Sequence, residues 1–278
     1  MFFAQEYGHV MESTQQKFLF ICGLHRSGTT ILHHVLNDHS GVSGFENTGV
    51  FDNEGQYLQT VFPNTDELGG PGYFGFDENA THTEPSSLNT SENQAKLWAE
   101  WSKHWLTTKP VLLEKSPTNL LNTRLLQAYF PNSYFILIMR HPIAVTYATQ
   151  RVTGNGRYNI SLLDSMLAHW VHCHQLFRAD ADSLRNVHII HYEKFVKKPA
   201  ETMAKIYDFI GLTPESLQKE IYKTTNQKYY NRWYSKSQST FARYNMQALV
   251  RKYEFQINQF GYSLINVDEN VDTPPLFV

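Results

Sequence analysis

The sequence predicts a single α/β domain in which a parallel central sheet is covered by helices. Three observations support this prediction: short apolar runs recur along the chain, helical periodicity separates them, and turn residues mark their ends. Parallel strands need a crossover between them, so this alternation is typical of a sheet flanked by helices. With 278 residues, 41% of them hydrophobic, the chain can bury one large core.

The individual elements follow from the same patterns. The run KFLFIC at 17–22 is followed by glycine, which suits a buried strand that feeds a loop, and the next helix begins near Thr29 and ends at NDHSG. Similar runs predict strands at 111–113, 134–139 and 187–190. Helical spacing predicts helices at 120–129, 162–177, 203–210 and 249–260.

Two segments lack this periodicity. Residues 45–95 contain GGPGYFGF and THTEPSSLNTSEN, and residues 151–160 contain RVTGNGRYN, all rich in turn residues. Long loops inside a compact domain are usually functional or mobile, so we expect both segments to cover the substrate side; a surface insertion is the alternative. The domain is expected to span 17–265, with an N-terminal extension at 1–16 and a tail at 266–278.

Composition limits the class of partner. The net charge of -2 provides no overall attraction for nucleic acid or anionic lipid. Cys22 ends an apolar run and Cys173 is the only other cysteine, so a disulfide framework is not expected. The start of the chain shows no cationic, apolar leader, and no 18-residue apolar run occurs. These features predict a cytoplasmic protein without a membrane or nucleic-acid partner.

The stretch GLHRSGTT at 23–30 carries the chemistry. It has the glycine frame of a P-loop, but Thr29 stands where the phosphate-binding lysine belongs. Backbone N–H groups of such a turn and the following helix N-terminus form a cradle for an anion, here from Ser27, Gly28, Thr29 and Thr30.

The cations around this loop differ from those of a nucleotide triphosphatase. Arg26 lies inside the loop, and the run FILIM ends in Arg140 where a Mg²⁺-binding Asp would stand. A sulfuryl group carries less charge in transfer than a phosphoryl group, so fixed Arg and Lys side chains could stabilise it without a metal. The loop therefore favours sulfuryl transfer.

Longer segments resemble a known family. FICGLHRSGTTIL resembles the 5'-phosphosulfate loop of sulfotransferases that use 3'-phosphoadenosine 5'-phosphosulfate (PAPS), and YFILIMRHPIAVTYA resembles their 3'-phosphate segment. EKSP, HYEKF and FIGL follow the family order up to about residue 212, and FGY at 260–262 resembles the end of the last helix. The resemblance implies a P-loop-like sulfotransferase fold, nearest in loop motif to the tyrosylprotein and bacterial natural-product branches.

The resemblance also implies the nucleotide-binding residues. The loop residues 27–30 would hold the 5'-phosphosulfate and Arg140 would bind the 3'-phosphate. The family usually has a serine eight residues after that arginine, where this chain has Ala148; Thr146 or Thr149 are possible substitutes. Tyr192 matches a family tyrosine near the nucleotide, with a purely structural core aromatic as the alternative.

Four side chains are candidates for catalysis. Arg26 matches a loop cation that assists the leaving phosphate in the tyrosylprotein branch, and Lys115, after a predicted strand, is a candidate second cation, with an ordinary surface lysine as the alternative. Glu46 resembles the catalytic glutamate of that branch by position and is the expected general base, whereas a solvated loop glutamate is the alternative. His25 is the rival base.

The acceptor is predicted only by class. Aromatic and acidic residues in the aperiodic cover suggest a flat or cationic small molecule; they are Tyr73, Phe74, Phe76, Trp98, Trp101, Trp105, Asp66, Glu67, Asp77 and Glu78. A specialised metabolite is the first expectation and a peptide tyrosine or carbohydrate the second. The other functions considered are a P-loop kinase or NTPase and a non-catalytic nucleotide-binding protein; the oligomeric state is left open.

The run HWVHCH at 169–174 has the residue types of a metal site. His169 and Cys173 are one helical turn apart, but the run lies in a predicted amphipathic helix and no complementary ligand pair occurs elsewhere in the sequence. No metal is therefore expected, and PAPS, released as 3'-phosphoadenosine 5'-phosphate (PAP), is the only co-substrate predicted.

Overall fold

A five-stranded parallel sheet organises the chain. The computed structural model describes residues 16–152, 160–217, 221 and 226–268. The strands are β1 (Lys17–Cys22), β2 (Val42–Gly44), β3 (Val111–Lys115), β4 (Ser133–Met139) and β5 (Val187–His191). Their order across the sheet is β2-β3-β1-β4-β5. The α/β class and the parallel sheet predicted from the sequence are confirmed.

Two cores lie on the two faces of this sheet. Along β1, Phe18 and Phe20 pack into one core, while Leu19 and Ile21 pack into the other. Successive side chains of a strand point to opposite faces, so a strand that is covered on both sides must be apolar at every position. This explains the unbroken apolar run at 18–22, FLFIC.

Nine α-helices of the described residues connect and cover the strands. They are α1 (Thr29–Asn37), α2 (Ser91–Trp101), α3 (Thr123–Tyr129), α4 (Pro142–Val152), α5 (Ile160–Ala181), α6 (Tyr192–Lys197), α7 (Pro199–Ile210), α8 (Gln227–Gln238) and α9 (Arg243–Asn258). Within the described parts of the chain, no helix has the length and apolarity needed to span a bilayer.

Local exceptions to the predicted elements have physical causes. The predicted helix at 120–129 is a 3-10 helix, Pro117–Leu121, followed by α3, because Asn122 takes a non-helical backbone conformation between them. The three-residue strand β2 was not predicted, since Val42–Gly44 is too short to show alternation. The left-handed Gly211 ends α7 as expected.

The segment 45–95 combines a cavity wall with core packing. Short 3-10 turns at Phe51–Asn53, Gly55–Tyr57 and Phe74–Phe76 precede α2. The expectation that aromatic residues face an acceptor is wrong for Phe74 in this segment and for Trp101 and Trp105 after it, because all three are buried in the core. Burial of the apolar area of these rings in the core stabilises the fold.

Several predicted boundaries fall outside the described residues. These are residues 1–15 of the predicted extension, 153–159 of the second covering loop and 269–278 of the tail. The described chain enters that loop from α4 and leaves it into α5.

Candidate active site

The loop between β1 and α1 has the backbone of an anion cradle. Its Arg26 and Gly28 are both left-handed, with φ of 67° and 101°. A Cβ at Gly28 would lie 2.4 Å from Cδ2 of Tyr192, so conformation and contact both require glycine. No acidic side chain lies in the first turn of α1, which leaves the positive end of that helix available to an anion.

One loop side chain is left without a partner. Ser27 is fully buried, and its hydroxyl finds no hydrogen-bond partner among the described residues. Thr29 is buried as well, and the half-buried Thr30 hydroxyl is 3.4 Å from Oδ2 of Asp52. A buried hydroxyl without a partner costs free energy, so the cradle fits an anionic ligand with acceptor oxygens.

A cavity of about 630 Å³ opens over this loop. The residues that line it include the cations Arg26 and Arg140, and a carboxylate, Glu54. All of these belong to loops or helix starts at the carboxyl ends of the strands, where open α/β sheets bind ligands. The cavity size is typical of a site for a small ligand.

Arg140 is held rigidly at the edge of this cavity. It follows β4 and is 7% exposed. Its Nη1 donates to the Arg26 carbonyl at 2.7 Å, and its Nε and Nη2 donate to Oδ1 of Asn226 at 2.8 and 2.6 Å. The guanidinium lies 4.3 Å from the ring centroid of Tyr192. Three elements thus fix its orientation.

Lys115 occupies the corresponding place on the other side of β1. It ends β3 and is fully buried, so the alternative of an ordinary surface lysine is wrong. Its ammonium donates to Oε1 of Glu54 at 2.9 Å and to the Asp52 carbonyl at 3.1 Å. A buried lysine paired with a cavity-wall carboxylate is typical of a functional site.

Glu54 was not predicted from the sequence. Its side chain is 3% exposed, and Oε2 accepts a hydrogen bond from Nε2 of Gln56 at 2.6 Å. Burial raises the pKa of Glu54, while the Lys115 charge acts in the opposite direction. The tetrapeptide NEGQ shows no periodicity or motif, so only the contact with Lys115 across 61 residues reveals the site.

Buried hydrogen bonds position the backbone around Glu54. The N–H groups of Gly55 and Gln56 donate to the side chains of Glu114 and Ser116, each at 2.9 Å. A Cβ at Gly55 would lie 2.5 Å from Oε1 of Glu114, so only glycine allows this approach. Burial raises the pKa of Glu114 to about 7. The segment EKSP therefore anchors the opposite wall as well as supplying Lys115.

A family comparison agrees with this geometry. The model of the sulfotransferase family matches residues 19–216, which is more than half of the chain. The chain belongs to the sulfotransferase family. Sulfuryl transfer is therefore its reaction class.

Solved structures of sulfotransferases are also similar to this chain. The sulfotransferase domain of the curacin biosynthetic pathway is 18% identical, with 85% of this chain and 97% of that chain covered and a TM-score of 0.49. A sulfotransferase from Alicyclobacillus acidocaldarius is 13% identical, with coverages of 84% and 94% and a TM-score of 0.48. A mouse sulfotransferase complexed with PAP is 14% identical, with coverages of 83% and 67% and a TM-score of 0.43.

The two predicted bases of this sulfotransferase are placed differently. Glu46 is exposed and is not among the cavity-lining residues of the described chain, because Phe45 before it packs into the core and turns Glu46 outward. His25 does line the cavity. Burial, followed by the charges of Lys115 and Arg26, lowers the pKa of His25 to about 3, so its imidazole is neutral near pH 7.

The two threonines considered as substitutes for the family serine lie in different surroundings. Thr149, on α4, lines the main cavity. Thr146 is buried, and its hydroxyl has no partner within the described chain. Ala148 is buried too. Of the two substitutes considered, Thr149 is the one that lines the same cavity as Arg140.

The run HWVHCH lies within α5 and packs into the core. Nε2 of His169 accepts a hydrogen bond from the Gly75 N–H at 3.1 Å, and Sγ of Cys173 lies 3.4 Å from the same nitrogen. Burial lowers the pKa of His169 to about 3. No cluster of three potential metal ligands is found among the residues that the structure describes.

Proposed function

We propose that this sulfotransferase moves the sulfuryl group of PAPS to a hydroxyl or amine of a small acceptor, by in-line transfer that uses fixed cations instead of a metal ion. The observation that carries the proposal is the convergence of the anion cradle and Arg140 on one cavity of about 630 Å³. The cradle suits a 5'-phosphosulfate and the guanidinium suits a 3'-phosphate.

The donor half of the cavity is formed by the loop and the two strand ends beside it. The loop residues 27–30 would hold the 5'-phosphosulfate, and the unpartnered Ser27 hydroxyl gains an acceptor there. Arg140 would hold the 3'-phosphate with help from Thr149, and Tyr192 supports both the loop glycine and the guanidinium. PAPS supplies the activated sulfuryl group. Arg26, which lines the cavity, stabilises the charge that develops on the leaving phosphate, whereas the fully buried Lys115 acts through its ion pair with Glu54.

The acceptor must lose a proton, and Glu54 is the group that the geometry supports best. It lines the cavity, and its pKa is raised by burial, which makes it a stronger base than an exposed carboxylate. His25 also lines the cavity, but a pKa of about 3 makes it a weaker base. Glu46 stays a prediction, with an exposed side chain outside the lining.

The remaining wall suggests the acceptor class. Asp66 accepts a hydrogen bond from the Tyr57 hydroxyl at 3.0 Å, and both line the cavity together with Asp52 and the exposed Phe51. Carboxylates beside aromatic rings suit a small molecule that carries an amine or an aromatic ring. We propose a specialised metabolite of this kind as the acceptor.

Binding calorimetry tests the donor. The full chain is titrated with PAP and, separately, with AMP, with chelator present and no Mg²⁺. PAP is expected to bind at least tenfold more tightly than AMP because it adds a charge-assisted pair with Arg140. Equal affinities, or binding that requires Mg²⁺, would contradict the proposal, and Mg²⁺-dependent ATP hydrolysis would replace it with an NTPase.

Mass spectrometry tests the transfer. PAPS and a metabolite library rich in amines and phenols are incubated with the protein, and products heavier by one sulfuryl group are sought. Transfer to a peptide tyrosine or a carbohydrate alone would move the acceptor to another class. PAP binding without transfer to any acceptor would leave a non-catalytic nucleotide-binding protein.

A further inference from the structure

Asn226 stands between two opposite charges behind the cavity. It immediately precedes α8, and its carboxamide oxygen accepts hydrogen bonds from Nε and Nη2 of Arg140 at 2.8 and 2.6 Å. Its Nδ2 donates to Oε1 of Glu193 at 2.6 Å and to the Tyr230 hydroxyl at 2.9 Å. The Asn226 carboxamide therefore bridges the Arg140 guanidinium and the Glu193 carboxylate.

Glu193 has further partners that hold it on its own side. Oε1 accepts from the backbone N–H of His141 at 3.0 Å, and Oε2 accepts from the Tyr262 hydroxyl at 2.9 Å. Burial raises the pKa of Glu193, and the Arg140 charge opposes that rise, which places the two groups within electrostatic reach. Glu193 is therefore the natural competitor of a phosphate for Arg140.

The hydrogen bonds of Arg140 show what remains for a ligand. A guanidinium has five N–H groups. Asn226 takes two of those of Arg140 and the Arg26 carbonyl takes one, all with neutral acceptors. Within the described chain these acceptors do not neutralise the positive charge, and one N–H on each terminal nitrogen is left to bind an anion.

We propose that Asn226 is a positioning residue that sets the preference for a 3'-phosphorylated nucleotide by keeping the Glu193 carboxylate away from Arg140. This inference rests on the proposed function, in which Arg140 binds the 3'-phosphate. Without the amide, the carboxylate becomes the nearest strong acceptor for Nε and Nη2, and a direct ion pair neutralises the cation that the phosphate needs.

Calorimetry with PAP and AMP tests the inference through a ratio of affinities. Asn226→Ala is expected to lower PAP affinity about tenfold and to leave AMP affinity unchanged, because AMP has no 3'-phosphate. The matched control is Asn231→Ala, an exposed asparagine one turn further along α8, for which both affinities stay as in wild type. Equal losses for PAP and AMP would show a collapsed loop and overturn the inference.

A double-mutant cycle with Glu193→Gln separates charge competition from simple support. Glu193→Gln removes the competing charge but keeps the shape, so PAP affinity is expected to rise about two- to threefold. In that background the effect of Asn226→Ala is expected to shrink below about threefold. An additive cycle, or an unchanged or lower PAP affinity of Glu193→Gln, would overturn the inference.

Wild-type protein in the same experiment distinguishes failure of the Asn226 role from failure of the proposed function. A wild-type preference for PAP over AMP with an additive cycle removes only the role of Asn226. Absence of that preference in wild type removes the proposed donor, and the role of Asn226 with it.

Discussion

Lys115 and Arg140 lie at the carboxyl ends of the two strands that pair with β1, yet their charges meet opposite surroundings. The Lys115 ammonium contacts a buried carboxylate, Glu54, at 2.9 Å. Among the described residues, Arg140 donates to neutral acceptors, the Asn226 amide and the Arg26 carbonyl. The charge of the lysine is paired with a carboxylate, whereas the described residues that accept hydrogen bonds from the arginine are neutral.

This difference in pairing is consistent with different tasks for the two cations in the proposed function. A buried ion pair gains little net stability, because desolvation of both charges offsets their attraction. Retaining such a pair beside the cavity, with Glu54 in its wall, fits the proposed role of Glu54 as the base. In the proposed function, binding of the nucleotide depends on the loop and Arg140, and catalysis depends on Glu54 and Lys115.

The largest expected effect is on turnover. Glu54→Gln should lower kcat about 10²- to 10⁴-fold, because the amide cannot accept the proton of the acceptor, while PAP affinity stays within about threefold. Steady-state kinetics with an acceptor from the metabolite screen measures kcat, and calorimetry measures PAP affinity. If Glu46→Gln causes the loss instead and Glu54→Gln turns over normally, the base is Glu46.

The pH profile of the same two proteins sharpens this prediction. The pKa of Glu54 is raised above 4.5, and the base works only when ionised, so kcat of the wild type should fall as pH decreases through that raised pKa. Glu54→Gln should lack this acidic limb. An identical limb in both proteins would assign it to another group.

A smaller effect is expected from substitution of Arg140, the cation that is not paired with a carboxylate in the described chain. Arg140→Ala should raise the Kd for PAP at least about 30-fold, because a charge-assisted pair with a buried guanidinium is lost. Arg140→Lys should fall between, since a lysine keeps the charge but cannot make the forked contact with Asn226. Calorimetry measures both, with thermal unfolding as the check that the variants fold. Unchanged PAP affinity in Arg140→Ala would place the 3'-phosphate elsewhere.

The smallest effect is expected from removal of the Lys115 charge, which is paired with Glu54. The double variant Lys115→Met with Glu54→Gln removes both charges, so no buried charge is left alone, and its PAP affinity should stay within about threefold of wild type. Calorimetry with PAP measures it. A loss as large as that of Arg140→Ala would show that Lys115 contacts the nucleotide directly and would abolish the distinction between the two cations.

Local patterns were sufficient for the donor side of the site. The strand, loop and helix from Lys17 to Asn37 follow from an apolar run, a glycine turn and helical spacing, all of which act between near neighbours. Arg140 could also be predicted, because the residue after a buried parallel strand necessarily reaches the carboxyl edge of the sheet.

The acceptor side was not predictable in this way. The tryptophans at 98, 101 and 105 suggested a binding surface. Trp101, however, ends α2, is buried and donates to the Gly55 carbonyl, so it supports the wall instead of lining it. Glu54 showed no pattern in its neighbourhood, and Glu46, which did, is exposed. Burial and pairing are set by contacts distant in sequence, so residue type and spacing do not contain them.

The sequence by itself determined the α/β class, the glycine loop after β1 and the arginine after β4, since each depends on short-range periodicity or on the geometry of a strand end. Only the tertiary structure decided that, within the described chain, Glu54 and not Glu46 lines the cavity, and that Lys115 and not Arg140 is paired with a carboxylate. Those properties depend on what the 45–95 segment and Asn226 bring next to Lys115 and Arg140, and such long-range contacts exist only once the chain has folded.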